Sequence, residues 1–70
     1  MTDTELLEEK INDSGFKKKY IAEKIGIAPY SLAKKINNIT EFKTSEIHML
    51  CTLLKINSLE DREKIFFAVK

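Results

Sequence analysis

The stretch "AEKIGIAPYSLAKKINN", residues 22–38, places one glycine between two runs of helical periodicity, and nothing else in the chain limits the fold as tightly. A helix that stops at Gly26 and resumes two residues later cannot run straight. Glycine at that point supplies a left-handed backbone conformation that a β-carbon would resist. Pro29 falls in the first turn of the second run, where its missing N–H has no intrahelical acceptor to lose. Ala22 is small where the two runs must approach each other, and Ile27 and Leu32 are spaced to plug the corner between them.

The remaining periodicity adds three more helices. Thr2 and Glu5 have capping-box spacing ahead of Leu7 and Ile11, and Gly15 is placed to end that first helix. The second runs from about Lys17 to Ile25 and offers Tyr20, Ile21, Ala22 and Ile25 as apolar surface. The third starts at Ala28 or Pro29, with Leu32, Ala33 and Ile36 apolar, before a loop at "NNITEF". Thr44 is read as the cap of the fourth, with Glu46 in its first turn. Ile47, Leu50, Cys51 and Leu54 then recur at i, i+3, i+4 and i+7. Ser58 opens a fifth, with Glu60 and Asp61 behind it, running into "KIFFAVK". The one β-like run is "IFFAV", and sustained alternation is absent. The expectation is a single all-α domain of five helices over residues 1–70, with the paired short helices at about 17–38.

Seventy residues are few for enclosing a substrate cavity as well as a core. Cys51 is the single cysteine, so no internal disulfide and no zinc quartet can form. No run reaches the roughly 18 apolar residues of a membrane span, and "MTDTELLEEK" is acidic rather than signal-like. A cytoplasmic protein with no membrane partner is expected. The net charge is only +1, but it is unevenly spread. Residues 1–14 carry Asp3, Glu5, Glu8, Glu9 and Asp13 against Lys10, a net of −4. Residues 17–43 carry Lys17, Lys18, Lys19, Lys24, Lys34, Lys35 and Lys43 against Glu23 and Glu41, a net of +5. The last 27 residues balance at zero. The ends conceal a basic middle.

Two short helices joined through "GI" have the spacing of a helix-turn-helix, whose second helix enters the major groove while the first crosses the backbone. Pro29, Tyr30, Ser31 and Lys34 form the outer face of that second helix, and Asn37 and Asn38 close it. "IAEKIGI" followed by a leucine and "KKIN" resembles the core pattern of the lambda-repressor-like (Cro and XRE) regulators of temperate phages and prophages. "TEF", "EI" and the late "FF" are similar to a subgroup of small phage regulators from low-GC Gram-positive hosts. The resemblance covers residues 4–67. It implies that Lys18, assisted by Lys17 and the free amides there, binds phosphate. It also implies that Pro29, Tyr30 and Ser31 face base edges, and that Lys34 reaches a base or a phosphate. Asn37 and Asn38 would hold the backbone on the opposite side. Two positions depart from the family pattern: Ala28 stands where a capping serine or threonine is usual, and Pro29 replaces a polar base reader. A proline can still touch a thymine methyl, as other apolar groups do.

Other constellations reduce to structure. His48 and Cys51 lie three apart on one helix, but zinc needs three or four ligands and the chain has one histidine and one cysteine. Cys51 lies on the apolar stripe and is read as core, and His48 as surface. "NDS" and "NIT" match the glycosylation pattern, which carries no weight without a secretory signal. A catalytic triad or a phosphate-cradling glycine loop cannot be assembled, so neither an enzyme nor a small-molecule substrate is expected, and no cofactor or metal. The leading reading is a sequence-specific regulator that binds double-stranded operator DNA. The alternative on the same scaffold is an antirepressor that binds a partner phage repressor; a purely structural interaction module comes third. In a helix Ile65, Phe66 and Val69 of "KIFFAVK" would share one face and Phe67 would point elsewhere. One face is enough to close the core, so the segment, with Phe66 and Phe67 and with Phe67 the leading candidate, is the expected contact surface for a homodimer or for such a repressor.

Overall fold

The computed structural model describes residues 1–69. Five helices are arranged in chain order: α1 (Thr4–Ser14), α2 (Lys18–Ile25), α3 (Pro29–Ile36), α4 (Thr44–Leu53) and α5 (Leu59–Phe66). The described residues contain no strand. Helix α2 packs on α3 and α4, and α1 packs on α3 and α5. The fold is therefore all-α, with α2 and α3 in a helix-turn-helix arrangement.

One core joins every helix. Leu7 and Ile11 of α1, Ile21, Ala22 and Ile25 of α2, and Leu32 and Ile36 of α3 meet Ile47, Leu50 and Cys51 of α4 and Ile65 and Phe66 of α5. The i, i+3, i+4, i+7 stripe of Ile47, Leu50, Cys51 and Leu54 is buried as its spacing requires. Burial pushes the Cys51 thiol up, and Arg62 opposes this only in part. The thiol is a core group.

The turn between α2 and α3 is closed by backbone bonds. Gly26 adopts φ 80°; its N–H donates to the Glu23 carbonyl at 3.2 Å, and the Ile27 N–H donates to the Ala22 carbonyl at 3.0 Å. These two bonds make a Schellman motif and satisfy carbonyls that the helix end leaves open. Nothing lies within 4 Å of the position a β-carbon would take at Gly26. The requirement for glycine there is conformational rather than steric. Gly15 also ends α1 in the left-handed region, at φ 74°, with its N–H donating to the Asn12 carbonyl at 3.2 Å and the next N–H, of Phe16, donating to Ser14 Oγ at 3.1 Å.

Four boundaries differ from expectation. The cap of α1 is Asp3, whose carboxylate accepts from the Leu6 N–H at 3.1 Å; Thr2 is buried one residue earlier and is bonded elsewhere. Lys17 is the residue before α2 rather than its first turn. Lys43, not Thr44, precedes α4. A lysine side chain has no acceptor, so only the return half of a capping box forms, from the Lys43 N–H to Glu46 Oε1 at 2.8 Å. Finally, α5 stops at Phe66 with Phe67 as its cap. Val69 therefore lies outside the helix and shares no helical face with Ile65 and Phe66, and Lys70 of "KIFFAVK" lies outside the described residues. Ser58 does cap α5, accepting from the Asp61 N–H at 3.3 Å.

Glu46 does more than start α4. It is buried, and its Oε1 also accepts from Lys35 Nζ at 2.7 Å, while Lys35 donates to the Glu41 carbonyl at 3.2 Å. This pair locks α3 to the start of α4. Burial pushes the Glu46 carboxyl up, but the Lys35 ammonium and the Lys43 amide together outweigh it and hold the group below its ordinary value of 4.5. A depressed folded-state pKa contributes stability above the unfolded value and loses it as pH falls through the folded value. Urea denaturation should thus show the pair's contribution intact at neutral pH and declining only below the ordinary carboxylate range. Glu46→Gln should cost about 1.5–3 kcal/mol at neutral pH, as for a hydrogen bond to a charged group, and should flatten the acid decline. Equal stability of the two proteins at neutral pH would count against the pair.

Candidate nucleic-acid interface

Helix termini expose amides at the start and carbonyls at the end, and the flanking residues determine how each end is satisfied. The C-terminal end of α3 is closed completely. The Ala33 carbonyl accepts from the Asn37 N–H at 3.1 Å and from Asn37 Nδ2 at 2.9 Å. The Lys34 carbonyl accepts from the Ile39 N–H at 2.9 Å and the Lys35 carbonyl from the Asn38 N–H at 3.3 Å. The Ile36 carbonyl accepts from Thr4 Oγ1 at 2.7 Å. The N-terminal end is open. Ala28 offers no side-chain cap, Pro29 has no N–H, and no acid stands in the first turn. The amides of Tyr30 and Ser31 are left without intrahelical acceptors.

Helix α2 begins in the same condition. Lys17 gives no side-chain cap, and Lys18, Lys19 and Tyr20 occupy the first turn without an acid. Cations at a helix N-terminus oppose the macrodipole. The other three helices obey the stabilising rule. Asp3 with Glu5, Glu46, and Ser58 with Glu60 and Asp61 supply caps or first-turn acids for α1, α4 and α5. Only the two helices of the helix-turn-helix depart from it.

The base-facing candidates lie on the outside of α3. Tyr30 is 74% exposed, Pro29 is exposed, and Ser31 is half-buried. Lys34 Nζ sits over the Tyr30 ring at 5.3 Å from its centroid, which brings two of the expected site residues into contact. Lys17 and Lys18 are both exposed at the start of α2. Lys18 Nζ is paired with Glu8 of α1 at 2.8 Å, an ion pair open to solvent on both sides. Lys35, by contrast, belongs to the buried pair with Glu46 and contributes no free charge to the surface.

Two residues expected at contacts have partners inside the chain. Asn38, expected at phosphate, is exposed but adopts φ 63° and commits its side-chain amide to the backbone of Thr2. Its Oδ1 accepts from the Thr2 N–H at 2.9 Å and its Nδ2 donates to the Thr2 carbonyl at 2.8 Å. Asn37 stays exposed, with its Nδ2 folded back on Ala33. Phe66, expected at a partner surface, is 4% exposed and meets Phe42 edge-on with ring centroids 5.6 Å apart. It is a core residue. Phe67 remains 56% exposed, beside an open groove that Met1, Phe42 and Phe66 help to line.

Sequence alone did not reveal the buried Lys35–Glu46 pair or the Lys18–Glu8 pair, because both join residues at least ten apart in different helices. Among the described residues no three His, Cys, Asp or Glu side chains converge as metal ligands. No helix among them is long and apolar enough to cross a membrane. Compared with protein-family models, curated proteins and solved structures, the chain finds no match.

If Asn38 is a structural clamp, Asn38→Gly should lower stability. Glycine keeps the left-handed backbone open and removes only the amide. The loss should be about 1–3 kcal/mol, since the buried Thr2 backbone keeps its polar groups but loses both partners. Chemical denaturation measures it, and an unchanged midpoint would remove the clamp role of Asn38.

Proposed function

We propose that the protein is a sequence-specific, double-stranded DNA-binding transcriptional regulator of the phage Cro or repressor type. In this reading α3 lies in the major groove and the start of α2 rests on the phosphate backbone. The observation that carries it is the contrast in helix ends. The two helices of the motif alone combine uncapped N-termini with first turns free of acid, and α2 adds Lys17, Lys18 and Lys19. That arrangement is poor for the stability of the free protein and suited to an anion, because free amides and lysines both favour phosphate. Affinity would come mainly from these phosphate contacts and specificity from Pro29, Tyr30 and Ser31, with Lys34 reaching a base or a phosphate. A protein acting in this way works in the host cytoplasm at the nucleoid, as a binding protein rather than an enzyme.

Lys18 must exchange Glu8 for a phosphate on binding. An exposed pair of this kind is worth about 0–1 kcal/mol, so the exchange costs little. Gel mobility on a pool of random duplexes at low salt, then on the selected sites, tests the reading. Lys18→Ala and Lys34→Ala should each weaken binding and flatten its salt dependence by about one counterion. Glu8→Gln should tighten it by up to about fivefold. A protein that retards no DNA at low salt would overturn the reading.

A second reading rests on a different observation. Phe67 and Val69 are exposed, Val69 at 95%, beside the exposed Met1. Such an apolar surface suits a second copy of the chain or a partner repressor, and in the latter case the protein acts as an antirepressor. Phe67 lies outside the core, so Phe67→Ser should fold normally and lose association in the ultracentrifuge, alone or with the repressor. Association equal to wild type would remove this surface.

A further inference from the structure

We infer that the recognition helix reads thymine through its methyl groups rather than bases through paired hydrogen bonds. This deepens the DNA-binding proposal and rests on it. Direct readout by hydrogen bonding uses a cation for guanine, an amide for adenine and a carboxylate for cytosine. The outer positions of α3 offer little of this kind. They contain no acid and no amide, and Asn37, just past the helix, donates to the Ala33 carbonyl at 2.9 Å. Lys34 lies over the Tyr30 ring at 5.3 Å, and Lys35 is held by Glu46 at 2.7 Å.

Apart from the Tyr30 and Ser31 hydroxyls, neither of which can make a paired contact to a base, what remains outward is carbon. Ala28, Pro29, Tyr30 and Ala33 are all exposed. Pro29 and Ala33 are four apart and Tyr30 and Ala33 three apart, so they adjoin on one side of the helix. Thymine alone among the four bases presents a methyl group in the major groove, and apolar side chains recognise it by contact. The lysines at the start of α2 give this surface its attraction to DNA without selecting a base. The cation over Tyr30 holds the ring by its face and leaves the edge for contact.

The test begins with duplex sites selected from random sequence. Each thymine is then replaced singly by uracil, which removes the methyl and leaves the hydrogen-bonding edge intact, and affinity is read by fluorescence anisotropy. At one or more thymines the affinity should fall about fourfold, the worth of burying one methyl-sized group. At those positions 5-methylcytosine should bind better than cytosine. Tyr30→Phe should keep the uracil penalty, and Tyr30→Ala should reduce it at one position. Selected sites that tolerate uracil at every thymine would overturn the inference while leaving DNA binding in place. A protein that selects no site would overturn both.

Discussion

Two hydrogen bonds between Asn38 and the Thr2 backbone hold together parts of the chain that the helices alone would leave apart. Residues 1–3 are thereby fixed beside the end of α3. From there the Asp3 N–H donates to the Ile65 carbonyl at 2.6 Å and the Ala68 N–H to the Met1 carbonyl at 2.8 Å. Thr4 closes the last carbonyl of α3, while Asp3 caps α1. One left-handed asparagine thus connects the third helix, the first helix and the C-terminal segment. Asparagine suits the place twice over. It tolerates positive φ better than most residues, and its amide can donate and accept at once.

The lysines divide by the company they keep. Lys35 has a buried carboxylate and a carbonyl, and it acts between α3 and α4. Lys18 has an exposed carboxylate that water can replace. Lys24 and Lys34 lie over tyrosine rings at 5.4 and 5.3 Å, which keeps their charge while reducing their freedom. A count of charges along the chain treats all of these alike. Their partners make one structural and leave the others free to meet an anion.

Sequence periodicity made the core legible. Each of Leu7, Ile11, Ile47, Leu50, Cys51 and Leu54 is buried where helical spacing places it, because burial of one helix face is a local property of the pattern. The glycine turns were legible for the same reason, since positive φ selects its own residue. Phe66 was misjudged, and the bonds of Asn38 to Thr2 were not visible, because both depend on distant partners. The Thr2 backbone is 36 residues from Asn38, and Phe42 reaches Phe66 from the loop before α4. The end of α5 was misjudged because propensity alone carried the apolar run past Phe66, whereas the backbone bond from Ala68 to Met1 draws the chain away. The outer face of α3 was visible in sequence, but the bond that turns Asn37 Nδ2 back on the Ala33 carbonyl was not.

The open helix starts have a consequence for stability as well as for binding. A missing N-cap costs about 1 kcal/mol, and lysines in a first turn add up to about 1 kcal/mol more at low salt. A chain of this length has little reserve for two such ends. The buried Lys35–Glu46 pair and the Asn38 clamp act at the other end of α3 and keep it in place while its start stays bare. An anion that bound the free amides would relieve the same unfavourable terms, and by linkage would stabilise the folded chain as it bound. Under the DNA-binding proposal, the instability of these two helix starts in the free protein and their affinity for phosphate arise from the same unsatisfied groups.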